Sequence, residues 1–428
     1  MKNLGNSLTK WLANSNGFVL SLYAIAAAFS TYSCMYAFRK PFSAASFDGV
    51  DDLFGLSFKS AIVIAQVLGY TLSKFIGIKV VSEMGRNRRG LAILVLIGIA
   101  ELALLGFAVV PVKLKWIFLF LNGIPLGMVW GLVFSFLEGR RFTEVMGAGL
   151  CASFIFASGL VKSVGKWLLL EGVSDFWMPF AVGAIFTLPL LFFVGMLSLL
   201  PNPSPEDEEL RTKRLPMTGA QRKAFFNQFA FGLVSLIIVY IMLTAFRDFR
   251  DNFMAEILGQ LGFGDTPAIF TTTEIPVTIG VLVMLAFVRF IRNNMLALTI
   301  NHVIIGLGCA AVGASTWLFH HGYIGPIPWI MLTGFGAYMG YIPFNCILFE
   351  RLIAAFKYPS NAGFLIYLAD AFGYLGSVAV LLYKDFFVSE MDWLTFFTYA
   401  CYALSIVGVV FTIFAIIYFE RRKLLLNR

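Results

Sequence analysis

Long apolar runs, separated by short clusters of charge, proline and glycine, follow one another from Gly17 to Phe419. About 20 apolar residues cross a bilayer as a helix, and the runs have that length. They predict spans at roughly 17–43, 58–80, 90–111, 115–138, 144–169 and 177–200. After a polar gap come roughly 226–250, 267–290, 295–318, 325–349, 360–383 and 393–419. In lipid each segment must satisfy its own backbone polar groups, which selects helices over open strands. The expectation is an all-α membrane protein with 12 transmembrane helices.

An even number of spans puts both termini on one side. Lysine and arginine crowd the short loops of that side, at Arg86, Arg88 and Arg89, at Arg140 and Arg141, at Arg289 and Arg292, and at Arg351 and Lys357. The positive-inside rule then makes both termini cytoplasmic, in an inner membrane. The gap from Pro201 to Lys223 holds three prolines in its first five residues, an acidic block at Glu206–Glu209, then Arg211, Lys213 and Arg214. It reads as a cytoplasmic linker. The organisation expected is an amphipathic surface segment over 1–16, a six-helix bundle over 17–200, a linker over 201–225, a second six-helix bundle over 226–419 and a basic tail over 420–428.

Composition narrows the function classes. Of 428 residues 59% are apolar and 13% charged, and the mean hydropathy is +0.83. This excludes a soluble surface, a disordered chain and a disulfide scaffold. The net charge of +8 is scattered between runs rather than gathered into a patch, which argues against nucleic acid as a partner. The five cysteines lie inside apolar runs without ligand spacing, so neither a metal site nor a cofactor is expected. Only three histidines occur, with no G-x-S-x-G, Walker A or H-E-x-x-H motif, so no catalytic residue is assigned and an enzyme is not expected.

The two halves repeat one another. Ala37-Phe38-Arg39 near the end of the first run recurs as Ala245-Phe246-Arg247, and Phe136-Leu137-Glu138 is echoed by Leu348-Phe349-Glu350. From 39 to 247 and from 138 to 350 the offsets are 208 and 212 residues. The glycine-rich stretch Gly123 to Trp130 is matched by Gly334 to Tyr341. Two pseudo-symmetric six-helix bundles, with a substrate site between them, follow from such a repeat.

A charge at the centre of a span costs at least about 2.5 kcal/mol on insertion scales, so charges inside the runs need a reason. In the first half they are mostly cations: Arg39, Lys40, Lys74, Lys79 and Lys162, with Glu101 the exception. The second half carries Arg247, Asp248, Arg250 and Asp251 in one cluster, then Glu274, His302 and Asp370. Arginine presents a rigid fork of donors that fits phosphate or carboxylate, and lysine adds a point charge. Plainer roles compete. Arg39 lies about one bilayer thickness from Gly17 and could snorkel to the surface. Asp248 and Asp251 could pair with Arg247 and Arg250, and Glu101 and His302 could bond neighbouring helices together. Lys79 reads as a topology residue.

Tyr36-Ala-Phe-Arg39-Lys40-Pro-Phe42 and Tyr70-Thr-Leu-Ser73-Lys74-Phe75 resemble Y-x-x-R-K-x-F and Y-x-x-S-K-F of the organophosphate:phosphate antiporters of the major facilitator superfamily. Glu274-Ile275-Pro276 is similar to that family's acid before I-P, and Lys162-Ser163-Val164-Gly165 falls where it carries H-N-V-G. The chain looks like a divergent relative. The resemblance implies the major facilitator fold and a phosphate clamp made by Arg39 and Arg247. Lys74, Tyr36 and Tyr70 would line the cavity, and Lys162 would stand in for a binding histidine.

The expected function is secondary active transport of a small anionic solute, a sugar phosphate or other organophosphate, by alternating access of a monomer. Substrate binding falls to Arg39, Arg247, Lys74, Lys162, Tyr36 and Tyr70, and coupling or gating to Asp248, Arg250, Asp251, Glu274 and Asp370. The alternatives are a proton-coupled importer of a carboxylated sugar and a non-transporting membrane sensor on a transporter fold.

Overall fold

The computed structural model describes residues 2–138, 140, 143–204, 207, 219–288, 291, 293–358 and 362–426. Helices fill most of them. The first half contains α1 (Lys2–Ala13), α2 (Gly17–Tyr36), α3 (Phe58–Glu83), α4 (Arg86–Val109), α5 (Lys115–Leu137), α6 (Thr143–Leu170) and α7 (Met178–Ser198). The second contains α8 (Gly219–Asn252), α9 (Met254–Gln260), α10 (Ile269–Val288), α11 (Asn294–His320), α12 (Pro326–Cys346), α13 (Leu348–Ala355), α14 (Ala362–Phe387) and α15 (Trp393–Leu426). Each of the twelve predicted segments therefore coincides with a helix, or with the pair α12 and α13. Among the described residues nine helices (α2, α4 to α8, α10, α11 and α15) are long and apolar enough to cross a membrane, and the pair α12–α13, bent by 50°, makes a tenth. The protein is a multi-pass membrane protein.

Local chemistry sets the boundaries. The Asn16 side chain accepts a hydrogen bond from Val19 N at 2.8 Å and opens α2. Asn293 does the same for Leu296 N and opens α11. Both satisfy amides that the first turn leaves without partners. Pro179 and Pro326 sit in the first turns of α7 and α12, where a missing N–H costs nothing. Pro343 lies inside α12 just ahead of its bend, and a proline removes a helical hydrogen bond there. An unusual φ/ψ pair at Phe229 kinks α8.

Contacts divide the chain into two compact units. One is Met1–Thr212 with Met254–Thr272, the other Lys213–Phe253 with Thr273–Arg428. In the first unit α3 packs along α5, α5 along α4, and α2 along α6 and α7, while a 3-10 turn at Pro41–Ala44 rests on α6. In the second, α8 packs against α12, α14 and α15, and α11 against α12 and α15.

Several boundaries differ from the sequence expectation. The first span ends at Tyr36, not near residue 43, because the chain turns at 37–40 and Pro41 starts the 3-10 turn. Residues 219–225, expected in the linker, already belong to α8, and 420–426, expected as a tail, continue α15. The acidic and basic blocks of the linker, except Asp207, lie outside the described residues, as do Arg141, Arg289, Arg292, Arg428 and the side chain of Lys79. Arg86, Arg88 and Arg89 begin α4 instead of forming a loop. Their donors cap carbonyls: Arg86 Nη2 reaches Leu200 O and Pro201 O at 2.6 Å, and Arg89 Nη1 reaches Ser135 O at 2.8 Å. Cations at helix C-terminal ends satisfy orphan carbonyls and oppose the helix dipole. The first residues form helix α1, which fastens to the end of α7 through Thr9 Oγ1 on Leu199 O at 2.9 Å.

Candidate functional site

In the first unit the candidate residues gather at a turn. Beyond α2, the amides of Ala37, Phe38, Arg39 and Lys40 bond back to Cys34 O, Met35 O and Tyr36 O. The carbonyls of Phe38 and Arg39 are left without helical partners, and two buried amide side chains serve them. Asn122 Nδ2 donates to Phe38 O at 2.9 Å, and Gln66 Nε2 donates to Arg39 O at 2.9 Å. Gln66 also donates to Asn122 Oδ1 at 2.8 Å, so α3 and α5 hold the turn as one network.

The turn aims Arg39 inward. Its side chain is 7% exposed, which rules out snorkelling. The guanidinium lies 4.0 Å from the Tyr70 ring centroid and 5.9 Å from that of Tyr36. The Lys74 ammonium lies 5.1 Å from the same Tyr70 ring and 5.9 Å from Trp130. Tyr36, Arg39, Tyr70 and Lys74 are thus brought together around one aromatic face, a cation–π arrangement that is stronger away from water. Lys40 is buried in the same turn. Lys162, on α6, is buried with its ammonium 5.8 Å from the Phe270 ring, and it acts electrostatically on Lys59. Lys59 itself pairs with Glu256 of α9 at 2.5 Å and donates to Ser43 O at 3.0 Å. Burial raises the Glu256 carboxyl above the ordinary carboxylate range, with Lys59 pulling it the other way.

In the second unit the arginines come with their own acids. Arg247 lies within α8, not beyond its end, so the repeated Ala-Phe-Arg occupies a turn in one half and a helix in the other. Its Nη2 meets Asp248 Oδ1 at 2.7 Å, and its guanidinium lies 4.0 Å from the Tyr341 ring centroid. Ser377 Oγ donates to Asp248 Oδ2 at 2.9 Å. Tyr240 OH donates to Asp370 Oδ1 and stands 3.2 Å from Tyr341 OH. Arg250 pairs with Glu274 of α10 at 2.7 Å, where the cluster on α8 had suggested Asp251 as the partner. Gly334 leaves room beside it: a Cβ there would lie 2.6 Å from Arg250 Nη2.

Glu101 and His302 do not bond neighbouring helices together. Neither carboxyl oxygen of Glu101 has a hydrogen-bond partner among the described residues, and His302 Nδ1 bonds Leu298 O one turn back on its own helix. The described cysteines are free thiols, and no group of metal-ligating side chains occurs among the described residues. Gln66, Asn122, Tyr240, Tyr341 and Ser377 were not singled out in the sequence. A polar amide inside an apolar run was the available signal for the first two.

The fold is shared with solved structures of two transporters. The chain superposes on the crystal structure of a D-xylose-proton symporter with a TM-score of 0.59 at 16% identity, over 94% of this chain and 97% of that one. It superposes on the nucleoside transporter NupG with a TM-score of 0.59 at 13% identity, over 92% and 98%. Residues 41–422 match DUF5690, described as a family of unknown function, and the chain belongs to that family. Sequence comparison with curated proteins gives no match.

Proposed function

We propose that the protein is a secondary transporter that moves a small anionic solute across the inner membrane by alternating access, with both termini cytoplasmic. The observation that carries this reading is the sign of the charge buried in the first unit. Arg39, Lys40, Lys59, Lys115, Arg140 and Lys162 are all buried. Glu256 pairs with Lys59, and Glu101 packs its oxygens against the position of Gly183. Lys115 and Arg140 serve carbonyls at helix ends. Arg39, Lys40, Lys74 and Lys162 are the cations we assign to the solute. Burying cations is costly unless an anion or an internal acid compensates them. A phosphate monoester suits an arginine fork flanked by lysines, and a carboxylated sugar is the second candidate. The tyrosines Tyr36 and Tyr70 offer ring faces to the rest of the solute.

Uptake into vesicles reconstituted with the full chain tests this. Labelled glucose 6-phosphate and glucuronate are compared with xylose and uridine. Anion uptake that Arg39→Ala abolishes is expected. Uptake of xylose or uridine alone, or anion binding without flux, which would favour a sensor, overturns the proposal.

A further inference from the structure

We propose that the second unit binds an anionic phospholipid beside the end of α15, its headgroup among cations from three chain segments and its acyl chains along α8 and α15. The inference needs only that the chain spans a membrane, so it stands apart from the anion-carrier reading.

An aromatic knot within this unit brings the three segments together. Phe225 and Phe229 lie near the start of α8, Phe356 and Tyr358 follow α13, and Phe419 lies near the end of α15. Ring centroids are 4.9 Å apart for Phe225 and Tyr358, 5.0 Å for Phe229 and Phe356, and 5.9 Å for Phe356 and Phe419. Each segment is basic beside its rings: Arg222 and Lys223 before Phe225, Lys357 before Tyr358, and Arg421, Arg422 and Lys423 after Phe419. Packing of the rings therefore gathers six cations at one end of the unit. Glu420 is the one acid within 219–229, 354–358 and 418–426. Its Oε1 accepts from Thr299 Oγ1 of α11 at 2.6 Å.

Two details mark a site rather than scattered charge. Arg422 is half-buried, and its Nε is buried with no hydrogen-bond partner among the described residues. Such a guanidinium has a donor left for an anion. Lys357 closes α13 at φ +50°, a left-handed conformation that glycine usually supplies, with Tyr358 N reaching Ile353 O at 3.2 Å. Lysine there keeps an exposed cation at the rim of the knot, at a backbone cost that glycine would avoid.

Helix length and surface favour a lipid over a soluble anion. The apolar spans Ala220–Asn252 and Trp393–Leu424 are 33 and 32 residues long. About 20 residues cross the hydrocarbon core, so the basic ends stand at headgroup depth or beyond it. Deeper along the same two helices Phe231 and Phe414 are 58% and 43% exposed, with ring centroids 6.4 Å apart. Acyl chains cover such rings, and a phosphate free in solution has no use for them. Four or more Lys and Arg next to a span are the pattern that anionic lipid surfaces attract.

The test uses the full chain in detergent with dioleoylphosphatidylglycerol, dioleoylphosphatidylcholine or inorganic phosphate, read by native mass spectrometry and by the thermal unfolding midpoint. Phosphatidylglycerol should stay bound and raise the midpoint, phosphatidylcholine and phosphate should not, and the effect should fade as salt screens the cations. Combining Lys357→Gln, Arg422→Gln and Lys423→Gln should weaken phosphatidylglycerol retention by about fivefold for each cation removed. Arg88→Gln removes an exposed cation of the first unit and should leave retention unchanged. Equal retention of the two lipids by the unaltered chain overturns the inference, whether or not the variants fold. An equal effect of inorganic phosphate, full retention by the triple variant, or as large a loss in Arg88→Gln also overturns it. Absence of anion uptake into vesicles overturns the carrier reading and leaves this one standing.

Discussion

The two units bury charge in opposite ways. In the first, the buried charged side chains among the described residues are cations, with Glu256 and Glu101 half-buried, and in the second Arg250 and Lys384 are buried, as are Asp248, Asp251, Glu274 and Asp370. An excess of buried cations makes a positive potential that an anion or an internal acid offsets. A unit with both signs compensates its arginines from within, Arg247 with Asp248 and Arg250 with Glu274. The two halves of the chain thus differ in how their buried charge is balanced.

That contrast can be tested by removing charge from each side. Arg250→Ala leaves Glu274 buried and uncompensated, so a loss of about 4 kcal/mol in folding stability is expected, read as a drop in the thermal unfolding midpoint in detergent. In the first unit the largest loss should come from a neutral residue. Asn122→Leu strands Phe38 O, Ala100 O and the Gln66 amide, at about 3 kcal/mol, and weakens anion binding because the Arg39 turn is released. Gly334→Ala pushes a methyl group into Arg250 Nη2 and should cost about 2 kcal/mol, while Arg39-dependent binding survives. Smallest of all, Lys162→Met should change the unfolding midpoint by less than about 1 kcal/mol yet remove much of the anion-induced shift. If Lys162→Met destabilised as strongly as Arg250→Ala, the distinction between the two units would fail.

Much of the fold was visible in the apolar runs, since a helix in lipid must be continuous over a bilayer thickness and little else satisfies its backbone. Ends were less visible. Nothing in the apolar composition of 37–43 distinguishes a helix from a turn, because the turn is buried and its carbonyls are served by Gln66 and Asn122, 27 and 84 residues away from their acceptors. The buried cations of the first unit were legible because charges inside apolar runs stand out, and the family-like spacing put Tyr70 and Lys74 with Arg39, as their geometry has them. Partners in the second unit were not. Arg250 has Asp251 next to it in sequence, but successive side chains on a helix point in different directions, and the acid that reaches its fork stands on another helix.

The excursion of Met254–Thr272 carries a practical consequence for dissecting the protein. Those residues follow α8 in the chain, yet they belong to the first unit, where Glu256 meets Lys59 and Thr271 Oγ1 lies 2.6 Å from Ser163 Oγ. No single cut of the polypeptide yields the two units intact. Halves severed in the Pro201–Lys223 stretch and expressed separately would strip Lys59 of its counter-ion in one fragment and leave an ownerless strap on the other.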